Sequence, residues 1–247
     1  MKKYELTSET KVINCAKLHR IKALESFGRV EKGELGGWIE SEKNLSQDGD
    51  AWVFDNATVC GNATVGGNAT VGGNATVFGK AKVYGNATVS ENAMVRGDAT
   101  VYGNARVYGN ARVYGDATVY GYAKVSGYAR VYGDGRVCEN AIVCENAIVS
   151  GNARVYGDGR VYGNATVYGY AKVSGNADFI VFKNWWSSGR YFTWTRSNNK
   201  WKVGCFYGSG EELIAKAYKD SEKSGREYER VVKYVNDMLK EDNDNGN

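Results

Sequence analysis

The sequence predicts a mainly β solenoid that fills the middle of the chain, and three regularities carry that prediction. A valine stands at every sixth position from Val53 to Val173. A small residue follows each of these valines four positions later, and a turn-forming pair such as Gly-Asn or Gly-Asp lies between them. A repeat this short and regular is typical of stacked coils that bury their apolar sides only against their neighbours.

Each six-residue unit is expected to form one short strand and one sharp turn. The valine and the small residue point inward, and the residues that flank the valine point outward, because side chains alternate along a strand. Of the 21 units, 19 carry alanine at the small position and the other two carry Gly135 and Gly159. Nothing larger than alanine is therefore expected on that inner side. Glycine and asparagine tolerate the positive φ of a tight corner.

The units resemble the hexapeptide repeat of left-handed parallel β-helices, in which three units form one triangular coil. The resemblance covers residues 53–178, about half of the chain. It implies a left-handed winding with about seven or eight triangular coils. The chain departs from the family pattern directly after the valine, where small or acidic residues are common and this sequence often has tyrosine.

The segments before the repeat predict a short N-terminal addition to the solenoid. Residues 1–34 are expected to form a small β cap, because apolar and polar residues alternate between Leu18 and Leu24. Residues 35–178 are assigned to the β-helix as a whole. Its first, irregular coil is predicted because Ile39, Leu45 and Ala51 continue the inward register.

The composition changes abruptly after Asp178, where an aromatic-rich C-terminal α+β cap over residues 179–240 is predicted. Covering the open end of a solenoid hides unpaired strand edges. The polar tail, residues 241–247, is expected to be disordered. Alternating and helical patterns predict three strands and two helices in the cap: Phe179–Trp185, Arg190–Arg196, Trp201–Tyr207, Gly210–Lys223 and Arg226–Lys240.

The composition bears on the kinds of partner, the compartment and the metal sites that the sequence predicts. The 32 basic residues face 28 acidic ones, and the net charge of +4 does not by itself indicate a nucleic-acid partner. No signal peptide and no apolar run of ~20 residues is found, so a soluble cytoplasmic protein is expected, with no membrane partner. An odd number of cysteines without a C-x-x-C pair predicts free thiols and no metal site. They are Cys15, Cys60, Cys138, Cys144 and Cys205.

The resemblance implies acyltransferase chemistry, since many left-handed β-helices use a histidine as general base and hold acyl-CoA between the subunits of a trimer. The repeat contains no histidine, and the one histidine of the chain, His19, lies in the predicted N-terminal cap. An interior filled by valine and alanine also leaves no pocket for a small molecule. The sequence therefore predicts no catalytic residue, no cofactor and no enzymatic activity, with an acyltransferase that uses His19 as the alternative.

The outward residues predict binding surfaces, because positions 18 apart stack in columns along the solenoid. Arginine beside tyrosine is typical of binding hot spots, and clustered tryptophans favour an interface. The predicted partner-binding residues are Tyr84, Tyr102, Tyr120, Arg96, Arg112, Tyr114, Arg130, Tyr132, Arg136 and Arg154 in the solenoid and Trp186 and Trp194 in the C-terminal cap.

The predicted function is a scaffold that binds a macromolecule. A protein partner is favoured over nucleic acid because the repeat carries 11 basic and 9 acidic residues and all three faces share the pattern. A nucleic-acid partner bound by the Arg/Tyr faces is the alternative, and self-association of the flat faces into a homo-oligomer is expected.

A second resemblance concerns the origin of the chain. The passage Leu35–Ser41, the asparagine-rich units and the aromatic C-terminal segment resemble hexapeptide-repeat proteins of bacteriophages and prophages, which are often labelled acyltransferases. This resemblance implies a phage-encoded protein that acts on a host protein in the bacterial cytoplasm. An anti-CRISPR-like or other anti-defence role would follow from it.

Overall fold

The computed structural model describes residues 2–13 and 16–244. The chain divides into two compact units, Met1–Asn176 and Ala177–Asn247. The first unit is a parallel β-solenoid of about eight coils, and the second contains a small sheet and two helices.

The first unit begins with an antiparallel hairpin that is continuous with the solenoid. Strands β1 (Tyr4–Ile13) and β2 (Ala16–Ala23) pair with each other, and β2 pairs with β3 (Leu35–Ile39). The Tyr4 side chain fastens the hairpin to the first coil, because its hydroxyl donates a hydrogen bond of 2.7 Å to the Leu45 carbonyl oxygen. Its ring lies edge-on to the ring of Trp52, with 6.1 Å between the centroids.

The irregular first coil that the sequence predicts is present. Ile39, Leu45 and Ala51 are all buried, and a 3-10 helix spans Glu42–Asn44. The buried Asn44 amide donates hydrogen bonds of 3.0 Å and 2.8 Å to the carbonyl oxygens of Gly61 and Ala63. The side chain thereby supplies the hydrogen bonds that a regular strand would make with the next coil.

Each six-residue unit from Trp52 onward contributes one strand of two residues. Twenty-one such strands follow in chain order as β4 to β24. They are Trp52–Val53, Thr58–Val59, Thr64–Val65, Thr70–Val71, Thr76–Val77, Lys82–Val83, Thr88–Val89, Met94–Val95, Thr100–Val101, Arg106–Val107, Arg112–Val113, Thr118–Val119, Lys124–Val125, Arg130–Val131, Arg136–Val137, Ile142–Val143, Ile148–Val149, Arg154–Val155, Arg160–Val161, Thr166–Val167 and Lys172–Val173.

The strands form three parallel sheets, because every third strand pairs with the one three units earlier. The first face contains β3, β5, β8, β11, β14, β17, β20 and β23, with the hairpin at its N-terminal edge. The second face runs from β4 to β22 and the third face from β6 to β24, in steps of three strands. Residues 18 apart are direct neighbours, as in the pair Thr100↔Thr118. This register confirms the columns predicted from the sequence.

The interior is closely filled, as the repeat predicts. The valines of the repeat and its alanines from Ala57 to Ala171 are buried, and only the last alanine, Ala177, is exposed. The two glycines that replace alanine stand where the backbone comes close: a Cβ at Gly159 would lie 2.8 Å from the Val173 carbonyl oxygen, and one at Gly135 would lie 3.1 Å from the Val149 carbonyl oxygen. These contacts explain why even alanine is absent there.

The corners depend on a left-handed residue before each asparagine or aspartate. Gly103 has φ of 72°, and a Cβ there would lie 3.0 Å from the backbone nitrogen of Gly121 in the next coil. Glu139 and Glu145 occupy the same corner position with φ of 58° and 59°. Their carboxylates accept hydrogen bonds from the next coil, which offsets part of the cost of this conformation.

The second unit contains four antiparallel strands and two helices. The strands are β25 (Phe179–Lys183), β26 (Tyr191–Thr195), β27 (Lys200–Val203) and β28 (Phe206–Gly208), and the helices are α1 (Gly210–Asp220) and α2 (Glu222–Asp244). The third predicted strand is thus two strands, because Gly204 turns the chain with φ of 55°. Helix α2 runs to Asp244, so the expectation of disorder is wrong for residues 241–244; residues 245–247 lie outside the described residues.

One substitution pair tests the corner geometry. We expect Gly103→Ala to lower the free energy of unfolding by about 1–3 kcal/mol, because a side chain there is both left-handed and crowded by the next coil. Gly66→Ala is the control, since the only atom near its added Cβ is the Ser46 Cβ at 3.6 Å. Urea unfolding of both variants measures the difference. Equal losses of stability would contradict the corner geometry.

Candidate functional site

Three cations stack in one column near the C-terminal end of the third face. Arg136, Arg154 and Lys172 are the outward residues of β18, β21 and β24, and the pairs Arg136↔Arg154 and Arg154↔Lys172 are in register. All three side chains are exposed. Since parallel strands lie ~4.8 Å apart, the column brings three like charges together.

The carboxylates of Asp134 and Glu139 lie on the surface around this column, but they form no ion pair with its two arginines. Within the described part of the chain, neither Arg136 nor Arg154 takes part in an ion pair. Two like charges about 4 Å apart repel by about 1 kcal/mol even in water. The column therefore attracts an anion that would relieve this repulsion.

A column of aromatic rings runs beside the cations, as the sequence predicts. Tyr84, Tyr102 and Tyr120 stack with centroid distances of 5.1 Å and 5.0 Å and almost parallel planes. The column continues through Cys138 to Tyr156. Of these rings, Tyr120 and Tyr156 line the same surface depression as the three cations.

Two adjoining depressions are each lined by the three cations. We call the two depressions together the third-face groove. One has a volume of about 220 Å³ and is also lined by Tyr120, Cys138, Glu139 and Tyr156. The other has a volume of about 210 Å³ and is also lined by Asp134, Asn152 and Tyr170. The groove is open to solvent and lies on the outer surface of the solenoid, whose interior is filled.

Cys138 lies at the wall of the third-face groove but is almost covered, with 7% of its surface exposed. Hydrogen bonding with the Cys138 side chain, together with burial, raises the pKa of Tyr120 to about 12. Tyr120 therefore remains protonated at neutral pH and is suited to hydrogen bonding with a ligand.

The first face gathers a second group of predicted residues. The Arg96 guanidinium lies 4.7 Å from the centroid of the Tyr114 ring, and Tyr114 stacks on Tyr132 at 4.9 Å. Arg112 and Arg130 are in-register neighbours on β14 and β17. The structure thus divides the ten predicted solenoid residues between the third and first faces, and it does not bring them together in one site.

The two predicted tryptophans need correction. Trp194 is completely buried, and its indole N–H donates a hydrogen bond of 2.8 Å to the Asn199 side chain. Trp186 packs edge-on against Tyr228 in the same core. Neither presents a surface to a partner, because both belong to the core between the sheet and the helices. The exposed tryptophan that the prediction missed is Trp185, with 70% of its surface accessible.

His19 lies far from the third-face groove. It belongs to β2, near one end of the first-face sheet, whereas β18, β21 and β24 are at the opposite end of the solenoid. Its Nδ1 atom is 3.2 Å from the Thr7 carbonyl oxygen. The histidine therefore connects the two strands of the hairpin.

No metal centre emerges in the described residues, which contain no group of three or more His, Cys, Asp or Glu side chains suited to hold an ion. Cys60, Cys138, Cys144 and Cys205 are free thiols, and Cys15 lies outside the described residues. Among the helices of residues 2–13 and 16–244, none is long and apolar enough to cross a membrane.

Comparison with known families agrees with the architecture. The YdcK β-solenoid repeat model matches residues 81–97, 99–113, 111–127 and 159–175. These segments fall on the coils whose strands are paired 18 residues apart. The chain is a hexapeptide-repeat β-helix protein. The matched segments include Tyr84, Tyr102, Tyr120 and Lys172 of the third face.

One relative carries a functional name. The chain is 31% identical over 67 residues to an uncharacterized acetyltransferase, YdcK, of Escherichia coli strain K12. The match covers 24% of this chain and 21% of the relative, so the chain spans about a fifth of the relative's length. It contradicts the prediction that this hexapeptide-repeat protein is not an enzyme. That prediction considered the filled interior and the absent histidine, and it overlooked grooves on the outer faces.

A cysteine substitution tests the pairing at the groove wall. We expect Cys138→Ala to lower the pKa of Tyr120 from about 12 toward the usual 10.0, because the hydrogen bond that holds the proton is lost. Tyrosine-labelled NMR titration measures this pKa directly. Cys144→Ala, on the second face, is the control, and we expect it to leave the pKa of Tyr120 unchanged. An unaltered Tyr120 titration in Cys138→Ala would contradict the contact.

Proposed function

We propose that the third-face groove binds acetyl-CoA through its phosphate groups and that the chain acts in acetyl transfer. The single observation that carries this proposal is the column of Arg136, Arg154 and Lys172, whose two arginines have no carboxylate partner among the described residues. Phosphate groups are suited to such a column, because guanidinium groups bind phosphate oxygens in pairs of hydrogen bonds.

The walls of the groove suit the remainder of the same ligand. Tyr170 stands beside Lys172 with 74% of its surface exposed, so its ring is free to lie against a planar base. Tyr120 and Tyr156 line the other, adjoining depression and offer apolar surface with hydroxyl groups. A flat, open groove of this kind accommodates an elongated ligand.

A proton acceptor is available in the groove without His19. The Glu139 carboxylate lines the depression around Cys138, and it is held by a hydrogen bond of 2.8 Å from the Gly157 backbone amide. A carboxylate with a fixed orientation is suited to accept a proton from an acetyl acceptor. The YdcK relative, which is named an acetyltransferase, supports this type of reaction.

Calorimetric titration with acetyl-CoA tests the proposal. We expect the double variant Arg136→Thr/Arg154→Thr to weaken binding by at least about tenfold, because two charge-assisted contacts are removed. Threonine is the outward residue at Thr100 and Thr118 of the same column, so the fold tolerates it.

The matched control is Arg112→Thr/Arg130→Thr on the first face, where Thr58 and Thr76 occupy the same column. This variant loses the same charge, and we expect it to bind acetyl-CoA as the original chain does. Undetectable binding by the original chain, or equal weakening in the two variants, would exclude the third-face groove as the acetyl-CoA site.

We propose a protein partner as a second function, on the first face. The supporting observation is the packed group of Arg96, Tyr114 and Tyr132, an arrangement typical of binding hot spots. Affinity purification with the original chain and with Tyr114→Ser/Tyr132→Ser tests it, since serine occurs in the same column at Ser150. Recovery of one stoichiometric protein by the original chain only is expected. The same protein with both baits would contradict this role.

The phage origin, the anti-defence role and self-association remain predictions from the resemblance and the flat faces. Neither the YdcK repeat model nor the Escherichia coli relative bears on them. The location in the cytoplasm is likewise an expectation.

A further inference from the structure

Three tyrosines occupy corner positions where the repeat otherwise has mostly asparagine or aspartate. They are Tyr122, Tyr128 and Tyr170, one at each of the three corners of the solenoid. Each stands two residues before an outward cation, in the sequences Tyr122-Ala-Lys124, Tyr128-Ala-Arg130 and Tyr170-Ala-Lys172. The pattern thus recurs once on each face.

These rings are largely exposed. Their exposed fractions are 64%, 65% and 74%, and among the residues that the structure describes no other aromatic ring packs against them. The tyrosines that follow a valine behave differently, since rings such as Tyr102 stack on the coils above and below.

The corner tyrosine also interrupts a favourable ladder. Asn68, Asn86 and Asn104 of the same corner are joined by amide hydrogen bonds of 3.2 Å and 3.3 Å. Tyr122 takes the next place, where an asparagine would extend the ladder by one bond. An exposed ring that replaces a stabilising contact indicates a role outside the fold.

The surroundings of Tyr122 indicate the chemistry of its ligand. A cleft of about 370 Å³ on the second face is lined by Tyr122, Arg106, Lys124, Asn104, Asn140 and Ile142. It contains two in-register cations and no carboxylate, and neither cation forms an ion pair with a described residue. The cleft is therefore complementary to a negatively charged group that lies next to a flat, stackable ring.

The next corner of the same coil repeats the arrangement. Tyr128 follows Tyr122 by six residues and stands beside Arg130, which pairs in register with Arg112. The acidic residues of these two corners, Glu139 and Glu145, lie one coil further on. Their carboxylates accept hydrogen bonds from the Gly157 and Gly163 amides of the coil beyond. Two ring-and-cation sites therefore stand at successive corners of one coil, with Lys124 on the second face and Arg130 on the first.

We propose that the Tyr122 and Tyr128 sites together bind single-stranded nucleic acid, with a base stacked on each ring and the phosphates held by the adjacent cations. Every base has a flat face that can stack on tyrosine, so this mode requires no particular sequence. Unstacked bases are needed, and a duplex does not supply them. This activity is separate from acetyl-CoA binding in the third-face groove, because it uses different residues on different faces.

Fluorescence anisotropy with a labelled oligodeoxythymidine of about 12 nucleotides tests the proposal. We expect Tyr122→Asn/Tyr128→Asn to weaken binding by at least about fivefold, the lower limit for the loss of one stacked base. Asparagine is the residue that the repeat itself uses at these corners, so folding is preserved. Tyr234→Asn, at an exposed tyrosine of α2, is the control and leaves binding unchanged.

The salt dependence gives a second readout. Arg106→Thr/Lys124→Thr is expected to reduce the slope of log K against log salt by about 1.4, which corresponds to two phosphate contacts on a single strand. Thymidine monophosphate and a duplex of the same length are expected to compete weakly. No binding of the oligonucleotide by the original chain, or binding that the tyrosine variant retains in full, would overturn the proposal.

Discussion

The solenoid depends on hydrogen bonding that keeps successive coils in register. The Arg106 backbone N–H donates to the Ala123 carbonyl oxygen at 2.9 Å, and the same bond recurs around every coil. Whatever stands at one outward position therefore lies directly beside the residue 18 places away. The small inner residues and the left-handed corners serve this register, since a larger side chain at either place would meet the backbone of its neighbours.

In-register stacking has opposite consequences for rings and for charges. Stacked tyrosines such as Tyr102 and Tyr120 attract one another and stabilise the coils they join. Stacked cations repel, and Arg136 and Arg154 of the third face form no ion pair with a carboxylate of the described residues. An uncharged residue is compatible with this position of the repeat, because Thr100 and Thr118 occupy the same column. The arginines are thus better explained by an anionic ligand than by the stability of the fold.

The periodic part of the structure was predictable because one rule determines it. The inward register of Val107 and Ala111, the stacking of Tyr84 on Tyr102 and the irregular coil through Leu45 all follow from counting in sixes. Sequence alone could not separate the faces by function, because the rule treats all three alike. Only the structure distinguishes the covered Cys138 from the exposed Tyr122 and locates the third-face groove.

The second unit was less predictable, because no repeat constrains it. Seven aromatic residues from Phe179 to Trp194 indicated an interface or a core, and the spacing could not assign Trp185 to the surface and Trp194 to the interior. On α2, Val232 is buried, whereas Tyr234, two residues later, is exposed. Which of these side chains is buried depends on how the helix packs against the neighbouring sheet. The sequence of the helix does not specify that packing.

The unfolding stability of Arg154→Thr at low and high salt tests most directly whether the cation column serves a ligand at the expense of the fold. Arg154 lies between Arg136 and Lys172, so its removal relieves repulsion on both sides. We predict that the variant is more stable than the original chain by about 1 kcal/mol at low salt, and that the difference disappears when salt screens the charges. A variant that is less stable at low salt would mean that Arg154 supports the fold, and it would contradict the account.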